Sequence, residues 1–411
     1  MVKASAQIDL APENAASAVA TLRAPDDFDR DVWSVLGIPV DALSASGAVA
    51  AIERAVRERR RLSFITPNVN FLVRAMRDSG ERQRLVDADL SLVDGAPLVA
   101  IARLLGMTGL ERCAGADVFE ALRRRPAFTA ARLSVFFFGG REGASEAAAA
   151  ALDREGRGLR SAGWLNPGYG DVAAMSAPEI IETINAAKPD FLVVALGASK
   201  GQAWIDANLS RLDVPVVSHL GAVVDFTAGT IKRAPSLLQR VGLEWAWRIK
   251  TDPGLWRRYR DDAAGLCRLL TFRLAPSLAT GRRSGAPAAA RLISDVGGSR
   301  VLLSGDLCAD DLKAVRLAYR AAGVADGDVI VDLTGAGAID AAFLGLTLML
   351  EKAARRRGAV VRIAGASARH RAILRANAMT YERAHAVGAG AWESRGNDAG
   401  EAAEAGIAAA Q

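Results

Sequence analysis

Hydrophobic positions in this chain fall into short unbroken runs, separated by longer stretches where apolar residues recur every three or four positions. The runs lie at 62–66, 90–93, 133–138, 159–165, 190–196 and 214–219, with Ala-rich helical stretches between them. Short strands without polar alternation are buried on both faces, and helices between them predict a parallel sheet covered on both sides. Upstream, Trp33 to Val40 predicts strands around a Gly37 turn, and Ala48 to Arg60 a helix with a basic end. The alternation resumes near the C-terminus, with strands at 301–304, 328–333 and 359–364 and helices at 310–322, 341–357 and 368–377. That is a second, smaller α/β domain of roughly 90 residues, within the usual domain range. The pattern divides the chain into a flexible leader (1–30), an α/β core (31–230), a basic helical appendage (231–275), a linker (276–298), the second α/β domain (299–385) and a flexible tail (386–411).

Composition narrows the class. A length of 411 residues exceeds what one core usually organises. With 51% hydrophobic and 24% charged residues the chain is globular. It has no unbroken apolar stretch of membrane-spanning length and no secretory signal pattern at its start. Cys113, Cys267 and Cys308 are scattered, and His219, His370 and His385 are isolated, so neither a disulfide framework nor a zinc site is expected, and a reducing cytoplasm fits.

The net charge of +6 is modest, but it is uneven. Between Lys232 and Arg273 ten basic residues stand against four acidic ones, interleaved with Trp245, Trp247 and Trp256. Leu238, Val241, Trp245 and Ile249 repeat at helical spacing and predict an apolar stripe with basic flanks. Two readings stay open at this point. The stripe packs on its own domain or a twin subunit, or it lies at an anionic membrane surface with tryptophans at headgroup depth.

Candidate chemistry collects where strands end. Leu62 to Ile65 runs into Thr66-Pro67-Asn68, and Leu90 to Val93 into Asp94-Gly95, each at the start of a helix. In an open parallel sheet the carboxyl ends of strands border the ligand crevice. A hydroxyl, an amide and a carboxylate on one rim can hold a polyol and take its proton. For Asp94 and Asn68 helix capping is the competing role. The turns Phe138-Gly139-Gly140 and Leu196-Gly197-Ala198 would let backbone N–H groups approach a diphosphate. Neither carries a dinucleotide fingerprint or a Walker sequence, which argues against a dinucleotide-dependent oxidoreductase.

Taken in order, Thr66-Pro67-Asn68, Val93-Asp94-Gly95, Arg112-Cys113-Ala114-Gly115-Ala116-Asp117, Phe138-Gly139-Gly140, Pro189-Asp190-Phe191-Leu192, Leu196-Gly197 with Trp204-Ile205, Phe226-Thr227-Ala228-Gly229, Lys232-Arg233-Ala234-Pro235, Gly242-Leu243-Glu244-Trp245 and Arg257-Arg258-Tyr259 form a series. Through it residues 33–272 resemble the WecG/TagA/CpsF glycosyltransferases, glycosyltransferase family 26. The resemblance implies a Rossmann-like sheet and inverting, metal-independent transfer of an N-acetylmannosamine-type, uronic acid or other hexose unit. The donor would be a UDP-sugar and the acceptor a polyprenyl-diphosphate-linked saccharide of envelope or exopolysaccharide synthesis, at the inner face of the cell membrane. By the same resemblance Asp94 is the general base and Thr66 a substrate-contacting hydroxyl. Substrate contacts would come from Asn68, Arg112, Gly139, Gly140, Gly197, Lys200, Gln202, Arg233, Arg248, Arg257 and Arg258, with Arg240 a further candidate. It also favours the membrane reading of the basic segment and leaves a homo-oligomer open. No nucleic-acid partner and no cofactor beyond the donor substrate are expected.

The chain departs from the family pattern at Ser199-Lys200-Gly201-Gln202, where Gly201 replaces a usual Gln, and at Gly254, where an arginine is common. Residues 299–385 resemble a STAS domain through Val329-Ile330-Val331-Asp332-Leu333-Thr334 and Ile339-Asp340. Ala341 and Ala342 stand where that family carries a phosphorylatable hydroxyl, so the resemblance implies a docking or packing module. The alternative function is a non-catalytic scaffold that binds a nucleotide sugar and signals through this domain to a protein partner.

Overall fold

The computed structural model describes residues 22–126, 132–235, 237–238, 242–278, 283–295 and 298–384. A hairpin comes first, β1 (Val32–Val35) against β2 (Ile38–Asp41), and Gly37 turns it at φ +99°. The central sheet then builds from β3 (Leu62–Ile65), β4 (Leu90–Ser91), β5 (Leu133–Gly139), β6 (Leu159–Leu165), β7 (Phe191–Ala195) and β8 (Val216–His219). Its order is β4-β3-β8-β7-β5-β6 and every neighbouring pair is parallel. The mixed α/β expectation therefore holds, and β5 shows why its sequence has no polar alternation. Val135 and Phe137 meet the helices Ala45–Arg57, Gly115–Arg123, Ala144–Glu155 and Gly221–Ala228 on one face. Phe136 and Phe138 meet Ile181, Ile184 and Trp204 on the other. Successive side chains point to opposite faces, so a strand covered on both sides must be apolar throughout.

A second sheet follows in the order β13-β12-β11-β10-β9, formed by β9 (Ala289–Asp295), β10 (Gly298–Leu307), β11 (Asp328–Ile339), β12 (Val361–Ala364) and β13 (Glu382–Arg383). Strand β9 runs antiparallel to β10, and the other neighbours are parallel. Strand β9 lies inside the stretch expected to be a linker. It is an edge strand, so only Ala290 and Leu292 need to pack inward, and that alternation is too sparse to read as an apolar run.

The expected leader also ends sooner. Asp27 and Phe28 are buried, and Phe28 joins the apolar core of the second domain. The reason is electrostatic as well as apolar. Lys352, wholly buried on the helix Ala341–Arg356, donates to Asp27 at 2.7 Å and to the Ala88 carbonyl at 2.9 Å. Arg30 pairs with Asp27 at 2.6 Å and Asp41 at 2.8 Å. Arg356 reaches Asp27 at 3.2 Å and Asp89 at 3.5 Å. Gly345 lets that helix touch the hairpin, because a Cβ there would lie 2.1 Å from the Val32 carbonyl oxygen. The second domain is thus seated on the first through a buried polar network.

The basic segment is not one continuous helix. The helices Glu244–Thr251 and Trp256–Leu269 are separated at Asp252-Pro253, where proline removes a donor and restricts the residue before it. Of the stripe expected there, Trp245 stays 48% exposed, and Val241 lies outside the described residues, as do Arg240, His385 and the tail from 386. The second helix is fixed to the core: Asn70 donates to Asp262 at 2.8 Å, and Gly265 leaves room for Val73.

Candidate active site

Each crevice residue is delivered by the end of an element. Thr66 follows β3 and Asp94 follows β4, on neighbouring strands of the sheet. The Asp94 amide donates to Pro67 at 2.9 Å and the Cys113 amide to Val93 at 2.8 Å, which brings the Arg112 loop onto the same rim. Gly115 is small for a reason: a Cβ there would lie 2.3 Å from a Leu220 methyl and 3.2 Å from the Thr66 methyl.

Capping does not explain Asp94. The helix Ala96–Leu104 starts from Gly95 with no side-chain cap, so the carboxylate is available for other work. It lies 3.5 Å from Arg112. Arg112 also pairs with Asp117 at 2.8 Å and with Glu244 at 3.5 Å. Arg233 joins Asp117 in a short ion pair and stands 3.9 Å from Glu244, and Arg248 stands 3.8 Å from Glu244. Phe226 holds the Arg233 and Arg248 guanidiniums 6.0 and 5.9 Å from its ring centre. Three cations and three carboxylates from the core and the appendage thus form one cluster.

Burial raises the Asp94 pKa to about 6, with Arg112 opposing it, Glu244 adding to it and smaller effects from Arg248 and Asp117. The side chain still keeps 31% of its surface open, so the carboxylate is crowded by protein and reachable from the crevice. Among the described residues the Arg233 Nε is sealed from solvent without a hydrogen-bond partner. A cavity of about 570 Å³ borders the cluster at Asp117 and Arg233, with Phe119, Val223 and Phe226 as its apolar wall, and it does not include Asp94.

The other candidates from the sequence separate. Asn68 is the cap of the helix Val69–Ala75, its Oδ1 accepting from Asn70 at 3.0 Å and Phe71 at 3.4 Å. The Gly140 amide is used on the Ala195 carbonyl, and the Gly139 carbonyl accepts from Ser145, so these two groups are already engaged within the fold. Gly197 differs, with open space where a Cβ would stand. Lys200 donates to the Gly170 carbonyl at 2.8 Å, and buried Gln202 donates to Asp206 along its own helix at 3.2 Å. Arg257 and Arg258 are exposed and take no part in the ion pairs of the cluster; Arg258 lies over Tyr259. Gly201 has a local cause, since the His219 ring fills the space its side chain would need.

Asp117 and Glu244 were not singled out from sequence, although both lie inside quoted motifs. The available signal was the pairing of each acidic residue with a basic motif elsewhere, which only the fold brings within reach.

Comparison with known proteins agrees with this geometry. A protein of Bacillus spizizenii named N-acetylglucosaminyldiphosphoundecaprenol N-acetyl-beta-D-mannosaminyltransferase is 30% identical over 211 residues, covering 51% of this chain and 79% of the relative. Proteins of the same name from Bacillus subtilis and Staphylococcus aureus are 27% and 23% identical, covering 48% and 54% of this chain and 73% and 85% of the relatives. The glycosyl transferase WecG/TagA/CpsF family model matches residues 33–278, a stretch holding every residue of the ion-pair cluster, and the chain belongs to that family of glycosyltransferases.

Proposed function

We propose that the protein moves an N-acetylmannosamine-type sugar from a UDP-sugar to a polyprenyl-diphosphate-linked saccharide, with Asp94 as the general base. The observation carrying this reading is Asp94 itself, an uncapped, reachable carboxylate with its pKa raised to about 6, beside Arg112 in the cluster that also holds Arg233 and Arg248. Attack on the anomeric carbon requires the acceptor hydroxyl to lose a proton, and a base with a pKa just below neutrality is ionised yet still basic enough to accept it. The oxygen bond to the anomeric carbon forms from the face opposite the departing UDP, which inverts the configuration. The negative charge growing on UDP falls on Arg112, Arg233 and Arg248. We assign no metal to the step, and unchanged turnover in a chelator tests that assignment.

The acceptor is lipid-borne, and the appendage offers a surface for it. Trp245, Trp256 and Phe272 are 48%, 50% and 70% exposed, near the exposed arginines 257, 258, 260 and 268. Among the described residues no helix is long and apolar enough to cross a membrane, so the attachment in this reading is peripheral. The STAS-like domain serves here as a docking module.

The test is a turnover assay with UDP-N-acetylmannosamine and an N-acetylglucosaminyl-diphosphoprenyl acceptor, read by mass spectrometry. Asp94→Ala removes transfer while UDP binding and the thermal midpoint stay near wild type. Full turnover in that variant would remove Asp94 from the mechanism.

A further inference from the structure

His219 closes β8, between the strand that ends in Thr66 and the strand that ends beside Gly197. Its Cδ2–Nε2 edge is wedged between two glycines. A Cβ on Gly201 would lie 2.2 Å from Cδ2 and 3.0 Å from Nε2, and one on Gly221 would lie 3.5 Å from Nε2. Nε2 is sealed from solvent and has no hydrogen-bond partner among the described residues. Nδ1 also makes no hydrogen bond among the described residues, yet it is not sealed, so it meets solvent at the carboxyl end of β8.

This arrangement decides the tautomer. A neutral imidazole carries one proton, and a sealed N–H with nothing to receive it costs more than a sealed lone pair, so the proton belongs on Nδ1. Burial depresses the pKa of the ring to about 4, so at neutral pH it offers a neutral donor and not a cation. Thr66 is no neighbour of this ring: the register sets His219 opposite Ile65, and the Thr66 side chain leaves on the other face, beside Gly115 and Leu220. The cations of the site lie further along the rim, around Asp94 and Glu244. A diphosphate belongs with those cations; a neutral donor suits a hydroxyl or an amide carbonyl.

The geometry points to His219 as a sugar-recognition residue, its Nδ1–H donating to a hydroxyl or amide oxygen of the transferred hexose. This assignment rests on the UDP-sugar reading above and extends it to the part of the donor that sets specificity. Gly201 and Gly221 then act as the walls that hold the ring in place.

Binding of UDP and of UDP-N-acetylmannosamine to the full chain, measured by calorimetry, tests the assignment. In His219→Ala the sugar nucleotide should bind about fivefold to tenfold more weakly, the loss of one net hydrogen bond, while UDP binds within twofold of wild type. An asparagine side chain places its amide where Nδ1 stood, and a glutamine places it where Nε2 stood. His219→Asn should therefore recover most of the lost affinity and His219→Gln should not, a contrast that a merely structural role would not produce. Thermal midpoints of the three variants account for any loss of fold. Wild-type affinity for the sugar nucleotide in His219→Ala would overturn the assignment, and recovery by Gln in place of Asn would overturn the tautomer. A wild-type protein that binds neither UDP nor its sugar would overturn the UDP-sugar reading, and this assignment with it.

Discussion

Replacing Glu244 by Gln removes one negative charge from the cluster without changing its shape, and the consequence for Asp94 can be worked out. Both carboxylates lie 3.5 Å from the same Arg112 nitrogen, so they are no more than about 7 Å apart. At an effective dielectric constant of about 20, two unit charges at that distance repel by about 2.4 kcal/mol, nearly two pKa units. Solvent screening lowers that figure, because the Asp94 side chain is 31% exposed. A shift of about half to one unit is expected. The direction is fixed: loss of a like charge makes the carboxylate easier to ionise, and Arg112, freed from Glu244, pulls the same way. A general base must be ionised, so wild-type kcat/KM should fall tenfold per pH unit below about 6, and in Glu244→Gln that limb should move to lower pH. The assay is kcat/KM for the donor at low concentration across the acidic range, with product read by mass spectrometry. A limb that stays in place, or moves to higher pH, would refute both the coupling and the identification of Asp94 as the titrating base.

Three further outcomes follow from packing and charge. Lys352→Ala leaves Asp27 and Asp89 buried without their ammonium partner and should cost about 3–5 kcal/mol in denaturant melts, against little for the exposed Lys313→Ala. Gly201→Ala drives a methyl into the His219 ring and should cost about 1–3 kcal/mol in the same melts. Replacing Trp245, Trp256 and Phe272 together by Ser should lower binding to phosphatidylglycerol-rich vesicles at least tenfold without lowering the melting midpoint, since all three are exposed; unchanged binding would place the membrane surface elsewhere.

The central sheet was legible in the sequence because strands covered on both faces must be apolar at every position, as at Phe136, Phe137 and Phe138. Elements that bury one side only left a weaker trace. Strand β9 hides its inward alternation among Ala, Gly and Pro, and the segment around Asp27 looked like a leader because two of the three cations on its carboxylate, Lys352 and Arg356, lie more than 300 positions away. In the site, Thr66, Asp94, Arg112, Arg233 and Arg248 share one crevice region, since each belongs to a loop at the carboxyl end of the sheet or to the appendage that folds over it. Proximity to a glycine turn does not say which way a helical side chain leaves its axis: Gln202 leaves toward protein, while Lys200 stays exposed with its ammonium on the Gly170 carbonyl. His219 was dismissed with the other histidines as a poor metal ligand. Its relation to Gly201 is a contact between the first turn of one helix and the strand end before another, which spacing along the chain does not encode.

The second domain bears on how firmly the base is held. Asp89 immediately precedes β4, and its carboxylate accepts the Ser63 amide of β3 at 3.0 Å while Arg61, the residue before that strand, approaches at 3.3 Å. Lys352 and Arg356 close on that carboxylate from the second domain, at 3.7 and 3.5 Å. Asp89 therefore ties together the two strands that end, a few residues later, in Thr66 and Asp94. Strand β4 is only two residues long and contributes little pairing of its own, so its register depends on this anchor. A buried carboxylate of this kind is stable only while its cations stay in place. The second domain thus supplies, at the amino end of β4, charges that help fix the spacing of Thr66 and Asp94. A module that merely shared the chain through a flexible tether would have no such hold on the crevice.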